Sequence, residues 1–161
     1  MDADPKSGMA RELFERACQL QAQGDLELAV DLYRRSIALS PSAEAHSNLG
    51  CVYRQQGRIE DAISECRRAI AVDPALGNPY NDIGACLIEL ERPGEAIPWL
   101  EQAAAARRYA AYHFPWYNLG RAYAALELFS KARDCFAHAL DIEPDYQPAA
   151  EALEKVRRLV Q

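Results

Sequence analysis

The stretch Leu49-Gly50-Cys51-Val52-Tyr53, followed by Gly57, Ala62, Cys66, Ala69 and Pro74, is the clearest copy of a pattern that occurs four times. Thirty-four residues further on stand Ile83-Gly84, Leu87, Ala96, Leu100 and Ala103. Another thirty-six give Leu119-Gly120, Tyr123, Ala132, Phe136, Ala139 and Pro144. Thirty-three residues before the clearest copy stand Ala17, Leu20, Gly24, Ala29, Tyr33, Ser36 and Pro41. Each copy reads as two amphipathic helices. Ala45, Leu49, Val52 and Tyr53 recur at helical spacing over 43–56, and Ile59, Ala62, Ile63, Cys66, Ala69 and Ile70 do so over 59–72. Gly57 permits the reversal between them, because glycine reaches backbone angles that other residues avoid. Gly50, Gly84 and Gly120 fall inside helices, where glycine costs about 1 kcal/mol relative to alanine. A cost repeated at one slot predicts a close approach of two helices there, with Ala62, Ala96 and Ala132 as the small residues on the second helix. Pro41, Pro74 and Pro144 close their repeats, since proline disfavours helix in the residue before it.

A period near 34 with these seven slots moving together resembles the tetratricopeptide repeat (TPR), over roughly residues 10–146. The resemblance implies an all-α fold, a TPR solenoid in which antiparallel helix pairs stack into a right-handed superhelix, because no single pair hides its own apolar face. The expected layout is a flexible N-terminus over 1–8 and one TPR domain over 9–161. The repeats fall near 10–42, 43–76, 77–112 and 113–146, and a capping helix over 147–160 presents Ala149, Ala152, Leu153 and Val156 on one face. The expected helices are 10–23, 26–39, 43–56, 59–72, 77–90, 94–107, 112–126, 129–142 and 147–160. The third repeat departs from the pattern. Arg108 stands where its closing proline belongs, the following connector is two residues longer, and Pro93 and Pro98 fall in its second helix. A change of pitch is expected there, with Tyr109, Tyr112, Phe114, Trp116 and Tyr117 clustered at the joint.

Composition narrows the function. At 161 residues, half of them hydrophobic, the chain is long enough to bury a continuous core. A net charge of −6 argues against nucleic acid as a partner, which calls for a basic face. No apolar run is long enough to enter a membrane as a spanning helix, and the start, rich in acidic residues, differs from a secretory signal. A cytoplasmic location is the expectation. The five cysteines, Cys18, Cys51, Cys66, Cys86 and Cys135, form no metal-binding spacing and are expected as buried, reduced thiols. His46, His113 and His138 lie in three separate repeats with no partner at the spacing of a catalytic triad, so no enzyme, metal or cofactor is expected. The double arginines Arg34-Arg35, Arg67-Arg68, Arg107-Arg108 and Arg157-Arg158 read as solvated surface diluted by acids.

The TPR resemblance implies that the first helices of successive repeats line a concave groove. On this chain that face carries Phe14, Cys18 and Gln21, then Asn48, Cys51 and Arg54, then Asn81, Asp82 and Glu89, then Phe114, Tyr117, Asn118 and Arg121. Asn48 and Asn118 share one slot, with Asp82 and Glu15 at its other copies. A side-chain amide both donates and accepts, so an asparagine ladder could clasp the backbone of a peptide; the alternative is that these amides satisfy local groups. Arg54 and Arg121 suit carboxylates. Tyr80 and Trp116 fall in a slot expected to pack between repeats. A carboxylate clamp of the kind some TPR domains use is disfavoured, since Phe14 and Cys18 stand where it needs Lys and Asn. The expected function is a noncatalytic scaffold or adaptor that binds an extended peptide or a partner helix through Asn48, Arg54, Asn81, Asp82, Phe114, Tyr117, Asn118 and Arg121. Two alternatives stand beside it. One is a structural assembly factor, since the lengthened connector is similar to that of pilus-assembly TPR proteins. The other is a self-associating module that forms homo-oligomers through its ends.

Overall fold

A computed structural model describes residues 4–160 and, among these, forms nine helices in two compact units, one ending at Pro74 and the other beginning at Ala75. The first unit holds α1 (Pro5–Gln23), α2 (Leu26–Leu39), α3 (Ala43–Gln55) and α4 (Ile59–Val72). The second holds α5 (Asn78–Glu89), α6 (Pro93–Ala105), α7 (His113–Ala125), α8 (Phe129–Ile142) and α9 (Gln147–Arg157). Helix α1 starts earlier than expected. The Asp4 carboxylate accepts from the Lys6 N–H and Pro5 sits in the first turn, so residues 5–8 are helical where a flexible segment is expected; residues 1–3 lie outside the described chain. Helix α3 is capped by the Ser42 hydroxyl, which accepts from the Ala45 N–H at 3.1 Å.

Consecutive helices pair as α1/α2 and α3/α4 in the first unit and as α5/α6 and α7/α8 in the second. One turn serves all four pairs. Gly24, Gly57, Glu91 and Glu127 occupy the same repeat slot with φ of 84°, 76°, 58° and 59°. The residue after each returns its N–H to a carbonyl of the preceding helix: Asp25 to Leu20, Arg58 to Tyr53, Arg92 to Leu87 and Leu128 to Tyr123, at 2.8–2.9 Å. The reversal therefore follows from the left-handed residue, which glycine adopts at no steric cost and glutamate adopts under strain.

The cores are built from the repeating slots. Ala17, Tyr33, Leu49, Ala62 and Cys66 are buried in the first unit, and Ile83, Leu100, Ala122, Phe136 and Ala139 in the second. The glycine slot meets the large slot of its partner helix. A Cβ at Gly120 would lie 2.4 Å from the Phe136 ring, and one at Gly84 would lie 2.4 Å from Leu100. The expected close approach is present, but its partners at these two sites are Leu100 and Phe136 and not the alanines alone. Helix α9 packs on α8, where Leu153 and Val156 join Ala132 and Phe136 in one apolar cluster.

The long connector after α6 folds back on its own unit. Arg108 N–H bonds to the Ala75 carbonyl at 3.1 Å and Gly77 N–H bonds to the Arg108 carbonyl at 2.9 Å, a short parallel bridge. Tyr109 presses on Gly77, where a Cβ would lie 2.8 Å from its ring, and the Tyr112 hydroxyl donates to the Ala106 carbonyl at 2.7 Å. Helix α6 continues through Pro98, whose missing N–H leaves the Gly94 carbonyl without its helical donor.

Candidate functional site

In the second unit, α5 and α7 lie side by side and present a connected polar row. The Asn118 amide, buried, donates to Asn81 Oδ1 at 2.9 Å, and Arg121 Nη1 donates to Asn118 Oδ1 at 3.0 Å. The Arg121 guanidinium also sits over the Tyr117 ring, 5.9 Å from its centroid. Tyr117 in turn meets Tyr146 edge-on at 5.3 Å and Phe136 at 5.8 Å. Phe114 and His113 complete the aromatic shelf, with Phe114 5.6 Å and His113 4.9 Å from the Tyr146 ring. Phe114 is 38% exposed, unusual for a phenylalanine. Burial pushes the Tyr146 phenol above its ordinary value, as does neighbouring Tyr117, while Arg121 opposes both. This is a cation fixed by two neighbours beside a partly exposed aromatic surface.

Asn81, Phe114, Tyr117, Asn118 and Arg121, expected as site residues, are thus brought together. Asp82, on the next position of α5, instead faces Tyr109, whose hydroxyl is pushed up first by burial and then by this carboxylate. Asn48 and Arg54 belong to the first unit. There the Asn48 amide donates to the Tyr33 hydroxyl at 3.4 Å, and that hydroxyl donates to Gln21 Oε1 at 2.8 Å and lies 3.3 Å from Cys18 Sγ. Arg54 is half-buried. The amides of Asn48 and Asn118 therefore serve side chains of the protein itself, the local alternative raised by the sequence. Cys18 and Cys51 are only half-buried, unlike Cys66, Cys86 and Cys135, and burial lifts the Cys135 thiol to about 11.

The aromatics of 109–117 do not form one cluster. Tyr109 and Tyr112 pack together on the connector at 5.5 Å, Phe114 and Tyr117 face Tyr146, and Trp116, half-buried, meets His138 at 4.2 Å. Tyr80 is buried and contacts Trp99. Tyr146 escapes a reading by periodicity because it lies in the turn before α9, outside every helical repeat slot.

The first unit holds a second polar feature that the sequence reading missed. His46 Nδ1 and Glu65 Oε2 are 2.7 Å apart, with side chains only 10% and 9% exposed, and Arg68 also bonds to Glu65. A carboxylate only accepts, so Nδ1 carries the proton. Burial alone would raise the Glu65 carboxyl, but the His46 hydrogen bond and the positive charge of Arg68 outweigh it and hold the group below its ordinary value. The trio borders an open cavity of about 540 Å³, with Arg34 and Arg58 at its rim. Among the described residues, no three His, Cys, Asp or Glu side chains converge as a metal site, and no helix is long and apolar enough to cross a membrane.

Residues 14–76 match one sequence profile of the tetratricopeptide repeat, and residues 113–146 match another. The chain belongs to the tetratricopeptide repeat family. The TPR matches together cover more than half of it and pass over the departing third repeat. No curated protein matches it by sequence. Solved TPR structures resemble its fold. PilF of Pseudomonas aeruginosa is 22% identical with a TM-score of 0.87, over 95% of this chain and 69% of that one. PilW, a type IV pilus biogenesis factor, is 21% identical with a TM-score of 0.85, over 98% of this chain and 71% of that one. The first TPR domain of RPAP3, solved with the HSP90 peptide SRMEEVD, is 22% identical with a TM-score of 0.69, over 75% of this chain and 94% of that one. At these identities the likeness is one of fold: an all-α TPR solenoid.

Proposed function

We propose that this TPR protein is a noncatalytic interaction module that binds a peptide segment or a partner helix on the face formed by α5 and α7. The observation that carries the reading is Arg121, held in place by Asn118 and Tyr117 beside the exposed edge of Phe114. A guanidinium oriented before binding loses little freedom when it meets a carboxylate, and clustered Tyr and Phe supply rigid contact area. Asn118 and Asn81 act as positioning residues, since Asn118 accepts from Arg121 and Asn81 in turn holds the Asn118 amide. The noncatalytic part of the reading draws support from the histidines: His46 pairs with Glu65, while His113 and His138 pack against aromatic rings. The free thiols suit a reducing compartment, the cytoplasm. The test is selection of a random peptide library on the immobilised full chain. Selected peptides are then titrated against Tyr117→Ala and Arg121→Glu, both checked for unchanged helicity. Each variant is expected to weaken binding by about tenfold or more. Undiminished binding to both would remove the α5/α7 face as the site.

A further inference from the structure

Beyond Arg121, the same face of the second unit opens into an apolar groove of about 360 Å³. Its walls are Ile88 of α5, Ala124 of α7, Phe129 of α8, and Ala152 and Leu159 at the C-terminal end of the chain. Phe136 and Val156 close the bottom and belong to the core cluster. The two alanines leave the groove open, and Leu159 is 59% exposed, the most exposed large aliphatic side chain described. Among the residues that line it, the charged ones are Arg121 and Lys155. The chain as a whole carries a net charge of −6, yet this groove presents two cations over an apolar floor. Lys155 is exposed and, among the described residues, makes no ion pair. An apolar channel with cations at its edge is complementary to a segment that carries apolar and acidic residues together. An extended peptide held by its backbone would call for unengaged side-chain amides, and the Asn118 amide is already bonded to Asn81 and Arg121.

We propose that the partner is an acidic amphipathic helix, its apolar residues three and four apart seated between Ile88, Ala124 and Leu159, its carboxylates on Arg121 and Lys155. This rests on the interaction reading above and adds the class of partner. The test uses a displayed library with apolar residues fixed at helical spacing and the remaining positions random. Binding is measured on the full chain and on Lys155→Glu and Leu159→Ala, two substitutions at exposed positions that leave the core untouched. The expected result is enrichment of Asp and Glu, loss of about tenfold in affinity with either variant, and a switch of Lys155→Glu toward Lys-bearing peptides. Enrichment of basic or uncharged sequences would overturn the proposal, as would acidic peptides that bind both variants as they bind the parent. A selected peptide that keeps its affinity with a central proline would point to an extended occupant and also overturn it. Sedimentation at rising concentration covers the remaining occupant: a dimer dissolved by Leu159→Ala would mean that a second copy fills the groove. Should peptides depend on Tyr117 and Arg121 but not on Lys155 and Leu159, the interaction reading stands and this inference falls. Should no peptide bind from either library, both fall.

Discussion

Glu65 is a buried carboxylate whose environment ties stability to pH. It is buried with His46 and bonded to Arg68, so its replacement by glutamine removes the charge that both neighbours bond and leaves only a weaker, neutral acceptor for the His46 Nδ1–H. Breaking such a pair costs about 3–5 kcal/mol when both partners are buried, and the exposure of Arg68 brings the expectation for Glu65→Gln to roughly 2 kcal/mol. The effect depends on pH with a definite sign. The folded carboxyl is held below its unfolded value of about 4.3, so the unfolded chain binds the proton first as pH falls. The stabilisation is therefore complete above about pH 5 and fades as pH drops through the folded value. Thermal melts of the parent and Glu65→Gln between neutral and acidic pH should show a gap in midpoint that closes on acidification. A gap that stays constant would mean that the charge of Glu65 contributes nothing. This pair is not legible in the sequence, because the two residues lie nineteen positions apart on different helices and neither residue type recurs at its slot, where Tyr80 and Trp116, and Trp99 and Cys135, stand in the later repeats. Arg121 and Asn118 are legible, one helical turn apart on a face the repeat defines. Their mutual bond, and the engagement of Asn118 with Asn81, depend on side-chain positions that periodicity does not fix.

At the level of the element, the left-handed turn is the common device, and it is met unequally. Gly24 and Gly57 adopt positive φ freely, while Glu91 and Glu127 hold it against the clash of Cβ with the backbone, worth about 1–2 kcal/mol each. Glycine loses more freedom on folding, by about 0.5–1 kcal/mol, so Glu91→Gly and Glu127→Gly should each stabilise by about 0.5–1 kcal/mol net. Gly57→Ala should destabilise by a similar amount. Chemical denaturation midpoints measure all three, and a loss of stability with both glutamate replacements would show that their side chains contribute more than the strain they impose. Helix bounds were readable to within a few residues wherever an apolar stripe and a turn residue coincide. The exceptions are α1, whose start depends on the Asp4 cap and Pro5, and the connector after α6. That connector carries no apolar period, and its course is set by the Arg108 bridge to Ala75 and Gly77 and by the seat of Tyr109 on Gly77.

For the molecule as a whole, stability should rest on the two apolar cores and little on surface charge. The pairs Arg11–Glu15, Arg58–Asp61 and Arg158–Glu154 lie within one turn of a helix or its cap, and all are substantially exposed. Such pairs contribute about 0–1 kcal/mol each and are screened by salt, which at the same time relieves the repulsion of a chain with net charge −6. The thermal midpoint in about 1 M sodium chloride should therefore stay within a few degrees of its value in dilute buffer. A much larger fall would show that the surface network carries the fold. The sequence by itself determined the all-α class, the recurring helix pairs and the apolar face of each helix, because a period of helix pairs obliges each apolar face to meet its neighbour. Tertiary structure alone decided which polar side chains meet: His46 with Glu65, Asn118 with Asn81, and Tyr146 with Tyr117. The physical reason is reach. Burial follows from a periodic pattern along the chain, whereas a hydrogen bond or ring contact depends on a few ångströms between residues of different elements.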